Sequence, residues 1–507
     1  EVWLKLSEID PEGFTIFGIP PDTQALRLPG SGDPFAFLRE LNDPRPGARE
    51  IKGEVATRLL IELGKFDQNK YPQFRDLKDQ LRSLAAPLPY PMHEVLAVQS
   101  GELYQTPFLM CYAHPVRNPS QAEAYIERLR ALGSKAKIWT QRLDNEGDNI
   151  PHEVLRTASV FCNRFATLDP LDHPLYLSFA RRMARKGEVR VPQDEAVKML
   201  DRVASLLKDR VLPEWKLLAA KVAEIEGAKD LKPDVWDGFK NECELEFHGN
   251  RDSLTQRLTA TADSLKSRLD ALPDFDADHW LRATGDEKSW RDSLQLFVDQ
   301  LQQKAAGLFE SLPSFRSLEV EIQDSIQQSL NLPCWYLPAD MAGHRKAKLF
   351  VHPGMAGNAS GTARSWLLRG AIPGAHTRYE KRPGLALPLP AQAAGWSLYG
   401  AQLADEIGLN SFSDNNIPPF PEGKTAFMQL QLLACELALF DLGESTGITS
   451  ALPAELVEAQ VALVKSRPGY ALAAWLEYSE ILRERAEARA EAGSLFYLGA
   501  FNEGIAK

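Results

Sequence analysis

The sequence predicts a mainly α-helical protein that contains a few short strands. Two observations lead to this prediction. Over positions 254–272 and 290–308, apolar residues recur every three or four positions, which is the spacing of one buried helix face. The apolar run 349–351 lies between a polar turn and Pro353-Gly354 and is too short for a helix, so it favours a strand.

Each of the two apolar stripes ends after 19 residues, which is less than three heptads. We therefore expect two helices that pack on a core, and not a coiled coil. Similar patterns predict helices over 53–63, 120–132 (with Ser120 and Glu123 spaced as a capping box), 365–371, 392–406, 424–441 and 469–490, and two helices within 192–224 that divide near Pro213.

No shift in composition separates independent domains. We expect one helical domain over 1–507, with a turn-rich part at 1–119, a helical part at 120–332 and a third part at 333–490.

Charge and cysteine content exclude several classes of protein. The chain has 507 residues with 58 Lys and Arg against 69 Asp and Glu, a net charge of −11, which argues against a nucleic-acid partner. No apolar run approaches 18 residues and no leader pattern begins the sequence, so no membrane segment is expected. The five cysteines stand at least 51 residues apart, which indicates reduced thiols and a cytoplasmic location.

Two segments carry a resemblance to a known family. Positions 369–378 read RGAIPGAHTR and positions 394–399 read AGWSLY. In this order they resemble the H-E-A-x-P-G-H-H-x-Q and E-G-W-A-L-Y motifs of the DUF885 family, helical proteins similar to gluzincin metallopeptidases. Further similar pieces follow the same order in the sequence, at 342–345, 349–351, 402–409, 445–449, 468–472 and 482–486.

The resemblance implies a large helical, metallopeptidase-like fold with a deep cleft, but the metal ligands of the family are missing. Arg369 and Ala375 stand where the family has its two His ligands, Ala394 replaces the third ligand, and Gly370 replaces the general-base Glu. Two auxiliary positions, a His and a Tyr in the family, are Thr449 and Ala474. A zinc hydrolase needs these ligands and this base. We therefore expect no metal, no cofactor and no zinc-peptidase activity.

Cationic side chains concentrate in the same region. Between His344 and Arg382 there are eight Lys or Arg residues and one acid, Glu380. Arginine suits bidentate capture of sulfate, phosphate or carboxylate, and histidine can transfer a proton near pH 7. The sequence thus predicts an anionic small-molecule substrate. The candidate catalytic residues are His376 and His344, and the candidate substrate-binding residues are Arg369, Arg378, Arg345, Lys346, His352 and Tyr399.

Structural alternatives exist for several of these residues. Arg369 could fill the metal void and pair with Glu380 or Asp405, because buried cations need partners. His376 could be a hydrogen-bonded core histidine, His352 could cap a strand or loop, and Tyr399 could belong to the core together with Trp396.

Three functions remain open from the sequence. The first is a metal-independent lyase or cyclase that expels sulfate or phosphate from an amino-acid-derived small molecule, as in secondary metabolism. The second is a catalytically inactive pseudo-peptidase that binds or scaffolds a protein partner. The third is a metallohydrolase whose ligands are not recognised in the sequence.

Overall fold

The computed structural model describes most of the chain. The described residues are 2–17, 36–66, 77–78, 81–82, 84–86, 88, 90, 92–184, 191–225, 235, 250–272, 286–310, 318–340, 344–354, 361–381, 391–410, 423–444 and 447–506. They are mainly helical with one small sheet, as the sequence predicts. In this part of the chain no helix combines the length and the apolar character that a membrane span requires.

The chain forms two compact units. Unit 1 comprises Glu1–Lys232, Asp324–Leu330 and Asp340–Arg345, and unit 2 comprises Pro233–Gln323, Asn331–Ala339 and Lys346–Lys507. The principal division at 232–233 coincides with neither of the internal boundaries expected at 119–120 and 332–333. The single domain expected from the sequence stays a prediction, and so does the deep cleft.

The described part of unit 1 is built from helices. Its helices are α1 (Val2–Ile9), α2 (Pro11–Phe17), α3 (Pro46–Leu63), α4 (His93–Leu96), α5 (Glu102–Tyr112), α6 (Pro119–Glu146), α7 (His152–Thr167), α8 (Pro174–Met183), α9 (Gln193–Leu206) and α10 (Leu212–Glu224). A π-helical turn, Leu207–Val211, joins α9 to α10, close to the division predicted near Pro213.

The predicted start and end of α6 were wrong. The helix begins one residue before Ser120, and Asn118 is its N-cap, because the Asn118 Oδ1 atom accepts a hydrogen bond from the Gln121 backbone N–H at 2.9 Å. It continues to Glu146 instead of ending near Leu132, since Leu132, Trp139 and other apolar side chains keep one face buried along its full length.

Unit 2 contains the remaining helices and the sheet. Both apolar stripes form helices, and Leu254, Leu258, Leu294 and Leu301 are buried as predicted. The helices are α11 (Arg251–Leu269), α12 (Glu287–Lys304), α13 (Gly361–Gly370), α14 (Ala375–Lys381), α15 (Ala391–Glu406), α16 (Gly423–Asp441), α17 (Ala454–Ser466), α18 (Tyr470–Ala492) and α19 (Leu498–Ala506).

The sheet has three strands, β1 (Leu318–Ile322), β2 (Cys334–Leu337) and β3 (Ala347–Val351), in the order β1-β3-β2. Strand β3 runs parallel to β1 and antiparallel to β2, with Cys334 opposite Val351. The central strand β3 contains the predicted run 349–351. Because side chains alternate along a strand, Cys334 and Tyr336 of β2 share one face.

Candidate functional site

Arg369 lies in the last turn of α13, immediately before a tight connection to α14. The connection requires glycine at position 374, because a Cβ atom there would stand 2.0 Å from the Arg369 carbonyl oxygen. Helix α15 packs against this connection at Gly400, whose added Cβ would lie 2.9 Å from the Gly374 Cα. These backbone contacts fix the end of α13 and therefore the position of Arg369.

The guanidinium of Arg369 stacks on the Trp366 ring, with 4.4 Å between its Cζ atom and the ring centroid. Burial lowers the pKa of Arg369, while electrostatic attraction by Tyr470 and Cys334 opposes this change. The group remains a cation near pH 7, because an arginine pKa starts far above that value.

Two donor atoms of this stacked pair lack an acceptor among the described residues. The Arg369 Nε and Trp366 Nε1 atoms are both buried, and neither has a hydrogen-bond partner in the part of the chain that the structure describes. Within the same residues Arg369 forms no ion pair with Glu380 or Asp405, and Asp405 Oδ1 instead accepts a hydrogen bond from Asn410 Nδ2 at 3.0 Å. The described structure therefore gives no support to the interpretation that Arg369 only fills a void as one half of an ion pair.

His376 is fully buried on α14 and contacts strand β2. Its Nδ1 atom lies 2.8 Å from the Tyr336 hydroxyl oxygen, and the roles of donor and acceptor depend on the tautomer of the ring. Tyr336 also stacks on Tyr379, one helical turn after His376, with ring centroids 5.0 Å apart. The sequence does not single out Tyr336 or Tyr379 as a candidate site residue. Tyr336 lies on β2, and Tyr379 lies on α14, directly after the motif-like segment 369–378.

Two further residues complete the arrangement at the start of α18. The guanidinium of Arg467 lies over the Tyr470 ring at 4.0 Å from the centroid. Burial raises the pKa of Tyr379, Tyr470 raises it further, and Arg467 opposes the change, so these three side chains interact. Tyr470 also acts electrostatically on Arg369 and raises its pKa, against the effect of burial.

We call this set of unit 2 residues the arginine–tyrosine cluster. Sequence reasoning identified Arg369 and His376 but missed the others. The available signal was the motif-like segment 468–472, in which Tyr470 follows Pro468-Gly469. The members of the cluster are Tyr336, Trp366, Arg369, His376, Tyr379, Arg467 and Tyr470.

Three other predicted residues of unit 2 form structural contacts. His352 Nδ1 accepts a hydrogen bond from the Gly354 backbone N–H at 3.1 Å, which is the capping role considered for it. Arg378 donates to the Ile505 carbonyl oxygen and lies 5.9 Å from the Trp396 ring centroid. Tyr399 is buried and donates to Asn502 Oδ1 at 2.7 Å, and burial raises the pKa of its hydroxyl.

His344, Arg345 and Lys346 do not lie in the arginine–tyrosine cluster as the structure describes it. His344 is exposed and Arg345 belongs to unit 1, where its guanidinium donates to the carbonyl oxygens of Ala113 and Ile16. Lys346 is exposed and pairs with Glu319 at 3.0 Å. The structure thus anchors Arg345 and Lys346 to protein groups, and their roles toward a substrate stay predictions.

The donor set does not fit a catalytic zinc. Among the described residues, no three His, Cys, Asp or Glu side chains come together as metal ligands. A Cβ atom at Gly370, where the related motif has its general base, would face Leu349 Cδ1 at 2.9 Å. Thr449, at another motif position, donates its backbone N–H at 2.9 Å and its hydroxyl to the buried Glu436. These positions serve packing and structural hydrogen bonds.

Comparison with known proteins gives the fold alone. No family model and no curated protein matches the chain. The crystal structure of a proposed lipoprotein from Colwellia psychrerythraea matches with a TM-score of 0.74 at 16% identity, over 99% of this chain and 95% of that chain. A proposed lipoprotein of unknown function from Shewanella oneidensis matches with a TM-score of 0.56 at 14% identity, over 98% and 94%. The chain therefore shares its fold with these two proteins.

Proposed function

We propose that the protein is a metal-independent lyase or cyclase that expels a sulfate or phosphate group from an amino-acid-derived small molecule of secondary metabolism. One observation supports this most strongly. Arg369, a half-buried arginine, stands at the motif position of a metal ligand, and its buried Nε atom has no acceptor among the described residues. A fixed cation that lacks an acceptor stabilises negative charge as it develops on a departing oxyanion.

His376 is the proposed general base in this reaction. The His376 imidazole accepts the proton, and Tyr336, whose hydroxyl oxygen lies 2.8 Å from His376 Nδ1, acts as a positioning residue. In a lyase step, the C–H electron pair forms a C=C bond while the C–O bond breaks and its electrons leave with the anion. In a cyclase step, an amine lone pair attacks the carbon, the same C–O bond breaks, and the amine proton passes to His376.

An assay of anion release tests this function. The purified chain is incubated with O-phospho and O-sulfo derivatives of serine and threonine, and free phosphate or sulfate is measured. We expect release that persists with a chelator and falls at least about a hundredfold in His376→Asn, within the range of general acid–base contributions. Exposed His152, in unit 1, supplies the matched control His152→Asn, which keeps full activity.

Two results would contradict the proposal. Release that is unchanged in both Arg369→Gln and His376→Asn would place the chemistry elsewhere. Release that a chelator abolishes, together with one equivalent of bound zinc, would favour the metallohydrolase with unrecognised ligands.

A second candidate is the catalytically inactive binding subunit. The complete burial of His376 and the 2% exposure of Tyr379 favour it, because a reactive base needs access to its substrate. Anion binding without release from any ester, combined with capture of a defined protein partner by the purified chain, would support this candidate.

A cytoplasmic location belongs to the same proposal. Cys111, Cys162, Cys334 and Cys435 are free thiols, as expected in a reducing compartment, and Cys243 lies outside the described residues. The lipoprotein descriptions of the two structural neighbours suggest a lipid anchor instead. Cell fractionation of the full-length protein decides the question, since recovery in the membrane fraction would contradict a cytoplasmic location.

A further inference from the structure

We propose that the Gln295 side chain closes the free edge of strand β1, and that this contact keeps β1 from pairing with the β1 strand of a second copy of the chain. The inference concerns residues of unit 2 that do not belong to the arginine–tyrosine cluster, so it is independent of the proposed function. A second copy is the occupant that the edge accepts once Gln295 is removed.

Strand β1 stands at an edge of the sheet, because in the described residues it pairs only with β3. Immediately after β1, the Gln323 backbone N–H donates to the Val351 carbonyl oxygen at 3.0 Å. Since successive residues of a strand direct their backbone groups to opposite sides, the N–H and C=O groups of Leu318, Val320 and Ile322 point away from β3. Backbone groups at such an edge are a template for another strand.

The carboxamide of Gln295, on α12, occupies two of these edge groups as a peptide group of a neighbouring strand would. Its Nε2 atom donates to the Leu318 carbonyl oxygen at 2.9 Å, and its Oε1 atom accepts from the Val320 N–H at 2.8 Å. The same Nε2 atom donates to Asp299 Oδ1, one helical turn further along α12, at 2.9 Å. An amide nitrogen has two hydrogens, so the three bonds are compatible and fix the orientation of the amide. A second strand can reach these groups only when Gln295 leaves them.

A second copy of β1 fits this edge in antiparallel orientation centred on Val320. In that register the two Val320 residues face each other, and each Leu318 faces an Ile322, so apolar side chains meet along the edge. The pairs 320–320 and 318–322 would exchange the backbone hydrogen bonds, and they would use the groups that now bind Gln295. The edge of β1 is therefore complementary to itself.

The two acidic residues of β1 give this edge little protection by charge. Lys346 Nζ lies 3.0 Å from Glu319 Oε1, and Lys348 Nζ lies 2.8 Å from Glu321 Oε1. In the antiparallel pair each Glu319 would stand opposite a Glu321, and such like charges normally oppose pairing. Because both carboxylates already have cationic partners within the chain, this repulsion is offset. The edge consequently depends on Gln295.

Replacement of Gln295 tests the inference through self-association and hydrogen exchange of the full chain. In sedimentation velocity, we expect Gln295→Ala to associate at concentrations at least about tenfold lower than the native chain, if opening the edge contributes at least about 1.4 kcal/mol to pairing. At low concentration, exchange at the Val320 amide should be faster in Gln295→Ala, because that N–H has lost its acceptor. At high concentration the same amide should regain protection, as the two strands pair.

Three further variants supply the controls. Gln295→Glu keeps an acceptor for the Val320 N–H and places a negative charge at the edge, so it should sediment like the native chain. Gln303→Ala is the matched control, because Gln303 is an exposed glutamine on the same helix. If Gln295→Ala fails to fold, Asp299→Ala removes only the acceptor that orients the Gln295 amide, and it should speed exchange at Val320 by a smaller factor.

Unchanged sedimentation of Gln295→Ala would overturn the inference. Equal association of Gln295→Glu would do the same, because loss of stability would then explain both variants: a carboxylate at this position faces the Leu318 oxygen and Asp299 without a donor. Association without renewed protection at Val320 would also contradict the inference, since the copies would then meet at another surface. None of these results depends on anion release, so the proposed function is tested separately.

Discussion

Two arginines, Arg128 buried in unit 1 and Arg369 half-buried in unit 2, have opposite environments. Arg128 in unit 1 donates to the carbonyl oxygens of Glu40 at 2.8 Å and Phe37 at 2.7 Å, and to Thr15 Oγ1 at 2.8 Å. Arg369 in unit 2 has a stacking partner but, in the described structure, no acceptor for its Nε atom. Burial lowers the pKa of both, to about 10 for Arg128.

The difference separates a structural cation from a candidate binding group. A buried charge whose donors all meet acceptors stabilises the packing of the segments that supply those acceptors. A charged group with a buried donor that lacks an acceptor costs free energy in the ligand-free protein, and such a cost is typical of sites that serve a ligand. Identical substitutions at the two arginines can therefore test the comparison.

The largest expected effect is at Arg128. Arg128→Met removes the guanidinium donors that the oxygens of Glu40, Phe37 and Thr15 accept from. We expect the free energy of unfolding to fall by about 3–5 kcal/mol, as when one partner of a buried charged network is removed. Urea denaturation measures this loss of stability. An unchanged midpoint would contradict the structural role of Arg128 and, with it, the contrast between the two arginines.

Ligand-induced stabilisation comes next in size. Inorganic phosphate at about a hundred times its dissociation constant should raise the free energy of unfolding by about 2.7 kcal/mol through mass action. Arg369→Met should abolish this gain. The same gain in the variant would mean that phosphate binds elsewhere.

The third prediction concerns the buried bases of unit 1. Burial lowers the pKa of His173 to about 3, so the folded protein keeps this ring neutral while the unfolded chain takes up a proton below about pH 6.5. Because the folded-state pKa is the lower one, stability is complete above pH 6.5 and is lost as the pH falls toward 3. The loss between pH 7 and pH 5 should be about 2 kcal/mol for this residue.

His173→Asn provides the control for that prediction. His173 is the N-cap of α8, where its Nδ1 accepts a hydrogen bond from the Leu175 N–H at 3.2 Å, and asparagine is a good N-cap that does not titrate. The variant should lose less stability between pH 7 and pH 5 than the native chain. Identical pH dependence would assign the acid sensitivity to other groups, such as His114, whose pKa burial also lowers.

The smallest expected effect is at Arg369, and it gives the sharpest test of the difference between Arg369 and Arg128. In the absence of ligand, Arg369→Met should raise the free energy of unfolding by about 1 kcal/mol, because it removes a desolvated charge and keeps much of the side-chain volume. Denaturation in an anion-poor buffer measures this. A loss as large as that of Arg128→Met would show that Arg369 is a structural residue.

Sequence reasoning located most elements because their signals are local. The stripes at 254–272 and 290–308 and the run 349–351 each contain their own periodicity, and all three formed the expected structure. Boundaries were less accurate, as in α6, because an N-cap depends on one side-chain hydrogen bond. Sequence reasoning named Arg369 and His376 as candidate site residues, which stay predictions, and it gave no signal for Tyr336 or Arg467, because their neighbours are set by tertiary packing.

The sequence alone determined the helical class, because it depends on residue identities over short spans. The sequence could not decide which cationic side chains find hydrogen-bond acceptors. Arg128 finds its oxygen acceptors 88 to 117 residues away, and Arg345 finds Ala113 232 residues away. Whether an arginine forms structural hydrogen bonds or keeps a donor without an acceptor depends on those distant residues. Only the tertiary structure brings the arginine and its partners together or leaves them apart.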